Sequence, residues 1–128
     1  MALLRHRVTV LPALLAAVAM GVMPAASAAP PPGVQAEVDS LLGAIAASGC
    51  RFQRNGDWHS ALDAQQHLRD KYDWLVARDR IGTTEQFIEL VATKSSLSGQ
   101  LYMVGCDDEP PLSSQQWLRD RLARLRGR

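Results

Sequence analysis

Two histidines and an aspartate recur at four-residue intervals in the first half of the chain. His59, Asp63 and His67 are followed at the same spacing by Lys71. Residues four apart on a helix lie along one stripe, so these side chains would share a face. Two imidazoles and a carboxylate are a credible set of zinc ligands, and a His–Asp pair can serve acid–base catalysis. A polar, solvated helix face is the simpler interpretation, and we predict no metal and no cofactor.

A serine-rich segment offers a second kind of chemistry. Ser95, Ser96 and Ser98 precede Gly99, and a serine hydroxyl can act as a nucleophile when a base and an oxyanion hole accompany it. The segment lacks the G-x-S-x-G pattern of a nucleophile elbow. Serines ahead of a glycine are typical of hydrogen-bonded turns. We expect a structural loop, and the alternative is a small hydrolase that uses His67 with Ser95 or Ser96.

The first 28 residues have the organisation of a secretory signal peptide. Arg5 and Arg7 precede the apolar stretch Val8–Met23, and Ala26 and Ala28 supply the small residues of a cleavage site. The apolar stretch is shorter than the roughly 20 residues that cross a bilayer. We therefore predict cleavage after Ala28, export by the general secretory route to the periplasm, and no stable membrane anchor after cleavage.

The rest of the chain is long enough for one domain. We expect a disordered proline-rich lead over residues 29–33 and a single small domain over residues 34–128. Loss of the two leader arginines changes the net charge from +1 to −1, which gives no electrostatic reason to expect a nucleic-acid partner. Cys50 and Cys106 are the only cysteines. An even count in a small exported chain predicts a disulfide, favoured over a reactive thiol or metal pair because no C-x-x-C spacing occurs.

Apolar residues at helical spacing predict about four helices. Their expected ranges are about 34–47, 57–77, 83–93 and 113–126. Gly49 would end the first helix in the left-handed conformation, and Asn55 or Asp57 would cap the second. The disulfide would join extended segments next to Cys50 and Cys106 into one short two-stranded ribbon. The predicted fold class is therefore mainly α, or α+β at most.

The last two helices carry the clearest signals in the sequence. Thr83 with Gln86, and Ser113 with Gln116, have the spacing of a capping box. The side chains expected to face the core are Phe87, Leu90, Val91, Trp117, Leu118, Leu122 and Leu125. Trp74 lies off the apolar face of the second helix, and we expect it to be partly exposed. The arginines near the C-terminus are expected to be solvated or to face a partner.

Five motifs occur in order along the domain. They are Phe52-x-Arg54-Asn55-Gly56, Ala61-x-x-Ala64-x-x-His67-Leu68-Arg69-x-Lys71, Thr83-x-Glu85-x-Phe87-Ile88, Ser95-Ser96-x-Ser98-Gly99-x-x-Tyr102 and Trp117-Leu118. Together, over about residues 45–126, they resemble the YfeK-like family of small exported bacterial proteins, which have no assigned function. The resemblance implies a periplasmic location and supplies no activity. In that family the position of His59 is often a tyrosine, which disfavours a metal site.

The resemblance directs attention to polar residues that could form one cleft. They are Arg54, Asn55, His67, Lys71, Ser95, Ser96 and Ser98. Cations and hydroxyls of these types suit a carboxylate or a phosphate. The same residues could instead be structural, with His67 bonded to the serine loop. We expect a non-enzymatic periplasmic module that binds a partner protein or a small anionic envelope component.

Overall fold

The structure of the chain is a computed structural model that describes residues 3, 9–23 and 29–128. The leader residues Arg5, Arg7, Ala26 and Ala28 lie outside the described residues, so the signal peptide stays a prediction. Residues 9–23 form no helix or strand, and their large hydrophobic side chains are exposed. Among the described residues, no helix has the length and hydrophobicity needed to cross a bilayer.

Four helices and four short strands occur within the described residues. The helices are α1 (Pro32–Ala47), α2 (Ala61–Val76), α3 (Thr84–Val91) and α4 (Ser114–Leu125), and the strands are β1 (Arg51–Arg54), β2 (Asp57–His59), β3 (Met103–Gly105) and β4 (Leu112–Ser113). The predicted four helices are confirmed. The strands form one antiparallel sheet in the order β2-β1-β3-β4. The sheet is wider than the expected two-stranded ribbon, because β2 and β4 add to the two edges of the central β1–β3 pair.

Cys50 and Cys106 form the predicted disulfide, which joins segments 56 residues apart in the sequence. Gly49, with a φ of 68°, ends α1 in the left-handed conformation as predicted and leads the chain into Cys50. Arg51 of β1 then pairs with Gly105 of β3. The disulfide therefore lies next to the first residue pair of the β1–β3 ladder. The disulfide and the ladder hydrogen bonds join the same two segments of the chain.

Asn55 and Gly56 make a hairpin turn, so neither Asn55 nor Asp57 caps a helix. Their φ values of 51° and 85° fit a type I′ turn, in which Asn-Gly is a preferred pair. The next residues, Asp57–His59, pair with β1. The second helix begins only after Ser60, whose hydroxyl accepts a hydrogen bond from the backbone N–H of Asp63 at 3.2 Å. The predicted start near Asp57 is wrong because the Asn-Gly turn sends the chain back along β1.

The remaining helix starts are set by local signals. Thr83 and Gln86 form the reciprocal capping box that the sequence predicts for α3. Ser113 caps α4 by accepting a hydrogen bond from the backbone N–H of Gln116. The first helix begins at Pro32, earlier than predicted, since proline in the first turn loses no helical hydrogen bond. Pro32 and Gly33 of the proline-rich lead thus belong to α1.

The first helix lies against the other three helices. Its buried face consists of Val38, Leu41, Leu42 and Ile45. The expected core residues Phe87, Val91, Trp117, Leu118 and Leu122 are buried as well. Leu90 and Leu125, which are 39% and 50% exposed, were assigned to the core wrongly. Leu90 projects beside the buried face of α3, and Leu125 ends α4 at the margin of the core.

Arg126, directly after α4, joins three helices. Its guanidinium donates two hydrogen bonds to Glu37 of α1, at 2.7 and 2.8 Å, and one to Glu85 of α3 at 2.5 Å. Thr84, which is fully buried, donates its hydroxyl to Glu37 at 2.7 Å. The bonds from Arg126, and then that from Thr84, lower the pKa of Glu37 from 4.5 to about 2. Arg126 is exposed to solvent, as expected for the arginines near the C-terminus, and it also pairs with Glu37 and Glu85.

Replacing both cysteines with alanine should lower the free energy of unfolding by about 4 kcal/mol, because the disulfide restricts the unfolded chain. Urea unfolding followed by circular dichroism measures the change. A reducing agent should lower the stability of the unmodified protein similarly and leave the double variant unaffected. Equal stability of the double variant and the oxidised protein would contradict the stabilising role of the disulfide.

Arg126→Gln should lower the free energy of unfolding at neutral pH by about 1 kcal/mol, through loss of a solvent-exposed network of ion pairs. The pKa of Glu37 is lower in the folded than in the unfolded state. Its stabilising contribution is therefore present above about pH 4.5 and is lost as the pH falls toward 2. The stability difference between the two proteins should shrink over that interval in urea titrations. Arg124→Gln, a change at an exposed residue in the last turn of α4, should show neither effect. A constant Arg126→Gln difference at all pH values would contradict the assignment.

Candidate functional site

Six of the seven polar residues selected from the sequence line one open cleft of about 330 Å³, the polar cleft. The full lining is Arg54, Asn55, His67, Lys71, Ser95, Ser96, Leu97 and Tyr102. Three parts of the fold meet there: the β1–β2 hairpin turn, the middle of α2, and the serine loop (residues 94–100) that leads toward β3. The β1–β3 pairing and the packing of α2 therefore determine its shape.

Tyr102 stands among the polar side chains of the cleft, although the sequence did not single it out as a site residue. It is 6% exposed, and its hydroxyl lies 3.3 Å from His67 Nε2 and 3.5 Å from Lys71 Nζ. Burial raises the pKa of the phenol, and the charge of Arg54 offsets part of that effect. The neutral phenol can donate one hydrogen bond and accept another. Side chains two residues apart on an extended chain point to the same side, and Tyr102 and Val104 are both buried. This alternation, visible in the sequence, could have predicted that Tyr102 points inward.

His67 and Lys71 lie one turn apart on α2 and are both partly buried. Lys71 Nζ donates to the carbonyl oxygen of Lys94 at 3.0 Å, and burial lowers the pKa of its ammonium group. Burial also lowers the pKa of His67; the charges of Arg54 and Lys71 lower it further, while Asp70 acts in the opposite direction. At neutral pH the imidazole is therefore mainly uncharged and lies beside two cations.

Arg54 is a cation without a partner among the described residues. Three arginines in the described ranges are partly buried. Arg69 pairs with Asp39 at 2.7 Å, and Arg121 lies over the ring of Trp117. The guanidinium of Arg54 makes no hydrogen bond or ion pair with any described residue, and no carboxylate lines its cleft. Its guanidinium donors are thus available to a ligand.

The serine loop is held by its own hydroxyls. Ser95 is 4% exposed, and its Oγ accepts hydrogen bonds from the backbone N–H groups of Leu97 and Ser98, both at 3.3 Å. Ser98 does not line the cleft, because its hydroxyl donates to Asn55 Oδ1 at 2.5 Å and ties the loop to the hairpin turn. Ser96 is exposed on the cleft wall. Ser95 and Ser98 thus shape the loop, and Ser96 faces solvent.

The candidate metal ligands His59, Asp63 and His67 do not lie along one face of a helix. His59 lies on β2 and not on α2, and Asp63 is exposed in the first turn of α2. His59 and His67 both line a small neighbouring cavity of about 20 Å³, which is about the size needed for one water molecule. Within the described ranges, no group of three His, Cys, Asp or Glu side chains is arranged to hold a metal ion.

Comparison with known proteins identifies a family that matches most of the chain. Residues 32–126 match the family of unknown function DUF5329. Over 69 residues, the chain is 42% identical to "Uncharacterized protein YfeK" of Salmonella typhimurium (strain LT2), a match that covers 53% of this chain and 56% of that relative. The chain thus spans little more than half the length of that curated relative. No solved structure matches the chain.

The family match covers the disulfide, the sheet and all four helices of the described residues. It ends two residues before the C-terminal Arg128. It includes every residue that lines the polar cleft. The resemblance that the ordered motifs indicated is confirmed by this match and by the similarity to the YfeK relative. The chain belongs to the DUF5329 family of YfeK-like proteins, whose function is unknown.

Proposed function

We propose that this protein is a non-enzymatic module of the bacterial periplasm that binds a small anionic envelope component in the polar cleft. The proposal rests on the environment of Arg54. It is a partly buried guanidinium with no ion pair to any described residue, in a cleft that Lys71 also lines. A carboxylate or a phosphate would supply the opposite charge, and a guanidinium can bind either group through two parallel hydrogen bonds.

The protonation behaviour of the cleft supports an anionic ligand. Burial lowers the pKa of both Lys71 and His67, and the positive charge of Arg54 lowers the pKa of His67 further. A bound anion would favour the charged forms of the same side chains. Charges that are partly removed from water interact more strongly than charges on an exposed surface, so a small anion could bind with only a few contacts.

The hydrogen bonds of the cleft favour binding over hydrolysis. A serine nucleophile needs a base within hydrogen-bond reach, and the hydrogen-bond partner of His67 is the hydroxyl of Tyr102. Ser95 Oγ is buried and accepts two backbone hydrogen bonds within its own loop. Ser96 is exposed at the wall of the cleft, where no hydrogen bond joins it to His67. The groups needed for hydrolysis share a cleft but do not make the required contact.

The periplasmic part of the proposal is supported by the leader and by the disulfide. Arg5, Arg7 and the apolar stretch Val8–Met23 have the order of a secretory signal. Cys50 and Cys106 are bonded, and disulfides in small domains persist in oxidising compartments such as the periplasm. A predicted export signal and a disulfide both fit a protein that functions in an oxidising compartment.

Inorganic phosphate at low ionic strength should raise the thermal midpoint of the purified oxidised protein. A ligand at a hundred times its dissociation constant adds about 2.7 kcal/mol, which shifts the midpoint by several degrees in a domain of this size. Arg54→Gln and Lys71→Gln should each weaken binding about tenfold or more, since each removes a charged hydrogen-bond donor. Calorimetric titration measures the affinities.

Two matched variants control for the general loss of positive charge. Arg51 is exposed on the same strand as Arg54, and the side chain of Lys94, the only other lysine, does not line the cleft. Arg51→Gln and Lys94→Gln should bind phosphate as the unmodified protein does. If all four variants weaken binding equally, the anion is attracted by the overall charge and the polar cleft is not its site.

The pKa of His67 provides a second test. Arg54→Gln should raise this pKa, because it removes a positive charge that disfavours the imidazolium. Sulfate should raise it as well, and by linkage sulfate should bind more tightly as the pH falls from about 8 to 5. Nuclear magnetic resonance titration of the imidazole measures both shifts, with Arg51→Gln as the control that leaves the pKa unchanged. A His67 pKa that ignores both Arg54→Gln and sulfate would contradict an anion site beside this residue.

A further inference from the structure

A second concavity, the apolar groove, adjoins the polar cleft. Its volume is about 290 Å³, and its apolar walls are Trp74, Leu75 and Leu90. Lys71 and Ser96 line both the apolar groove and the polar cleft. The two concavities are therefore neighbours that share a wall, with a cation and a hydroxyl at the junction.

Large apolar side chains remain exposed around this junction. Trp74 is 56% exposed and Leu90 is 39% exposed in the groove, and Leu97 is 96% exposed at the polar cleft. Arg78 lies over the indole ring of Trp74 at 3.5 Å and donates to its backbone carbonyl at 2.9 Å, which holds the ring in place. Exposed apolar side chains beside a concavity are typical of a ligand site.

The charges of the groove have the same sign as those of the cleft. Lys71 and Arg80 are its charged lining residues, and no carboxylate lines it within the described residues. Each concavity alone is near the lower end of the 300–1,000 Å³ range of small-molecule sites, and the pair falls inside that range. Both surfaces are concave, which fits a monomeric ligand better than a flat membrane.

We infer that the anion in the polar cleft carries an apolar chain that lies in the apolar groove, so that the ligand is a small, monomeric amphiphilic anion. The inference rests on the proposed function, since it extends the same site. The phosphate or carboxylate head lies between Arg54 and Lys71, and the chain passes Ser96 to contact Trp74 and Leu90. The cations select the head, and the burial of apolar surface supplies the additional affinity.

A series of alkyl phosphates tests the inference. Methyl, butyl and hexyl phosphate are titrated calorimetrically into the purified oxidised protein. Affinity should rise with chain length, by up to about fourfold for each methylene group that leaves water. Trp74→Ala and Leu90→Ala should flatten this dependence and leave the affinity for methyl phosphate unchanged. Because both side chains are exposed, their truncation removes little core packing.

Leu62→Ala is the matched control. Leu62 is 65% exposed on α2 and lines neither concavity. This variant should keep the full dependence of affinity on chain length. A dependence that persists unchanged in Trp74→Ala and Leu90→Ala, or that disappears equally in Leu62→Ala, would place the alkyl chain on some other apolar surface and overturn the inference.

The other outcomes separate this inference from the proposed function. If methyl phosphate binds in an Arg54-dependent manner and longer chains bind no better, the amphiphilic ligand is excluded and the anion site stands. If neither the alkyl phosphates nor alkyl carboxylates of the same chain lengths bind, both are overturned. Phosphatidylglycerol vesicles provide the last arm: binding to vesicles without binding to monomeric hexyl phosphate would assign the surface to a membrane and overturn the inference.

Discussion

The disulfide between Cys50 and Cys106, with the antiparallel ladder that follows it, is the constraint on which the polar cleft depends. The two cysteines stand just before the first pair of β1 and β3. The same register, continued past the last pair of the ladder, places Arg54 opposite Tyr102. Both residues line the cleft. A cross-link at one end of a short ladder thus determines which side chains meet at its other end, about four residues away along an extended chain.

The second helix brings the remaining cation to this end of the ladder. Lys71 and His67 share one face of α2, and their side chains meet the hydroxyl of Tyr102. Lys71 also holds the carbonyl oxygen of Lys94, at the start of the serine loop. The cleft is therefore built on a helix and a strand, with the loop fastened to both. Side chains supported in this way keep their geometry better than side chains on a free loop.

Two arginines of the described residues, Arg126 and Arg54, differ in whether their charge is paired. Arg126 is satisfied by Glu37 and Glu85, and it stabilises the fold by joining α4 to α1 and α3. Arg54 has no such partner among the described residues, and it lies close enough to His67 and Tyr102 to shift the pKa of each. A fold selected for stability alone would place a carboxylate near a partly buried guanidinium. A paired cation such as Arg126 belongs to a structural network, whereas an unpaired, partly buried cation such as Arg54 indicates a candidate binding site.

Local patterns in the sequence determined the four helices, the capping of α3 and α4, and the disulfide. Each depends on residues close together in the chain or, for the disulfide, on there being only two cysteines. The Asn55-Gly56 pair was also a local signal, but its hairpin was missed because β2 has only three residues. The polar cleft residues were grouped by the resemblance to the YfeK-like family, and periodicity alone would not have united them.

Only the tertiary structure decided how distant segments meet. The contact of Tyr102 with His67 joins residues 35 apart in the sequence, and that of Arg126 with Glu37 joins residues 89 apart. The shared wall of the cleft and the groove likewise depends on how α2 packs beside the serine loop. Helix caps and turns depend on neighbours a few residues away, whereas these contacts depend on the packing of whole helices and strands, which no short pattern encodes.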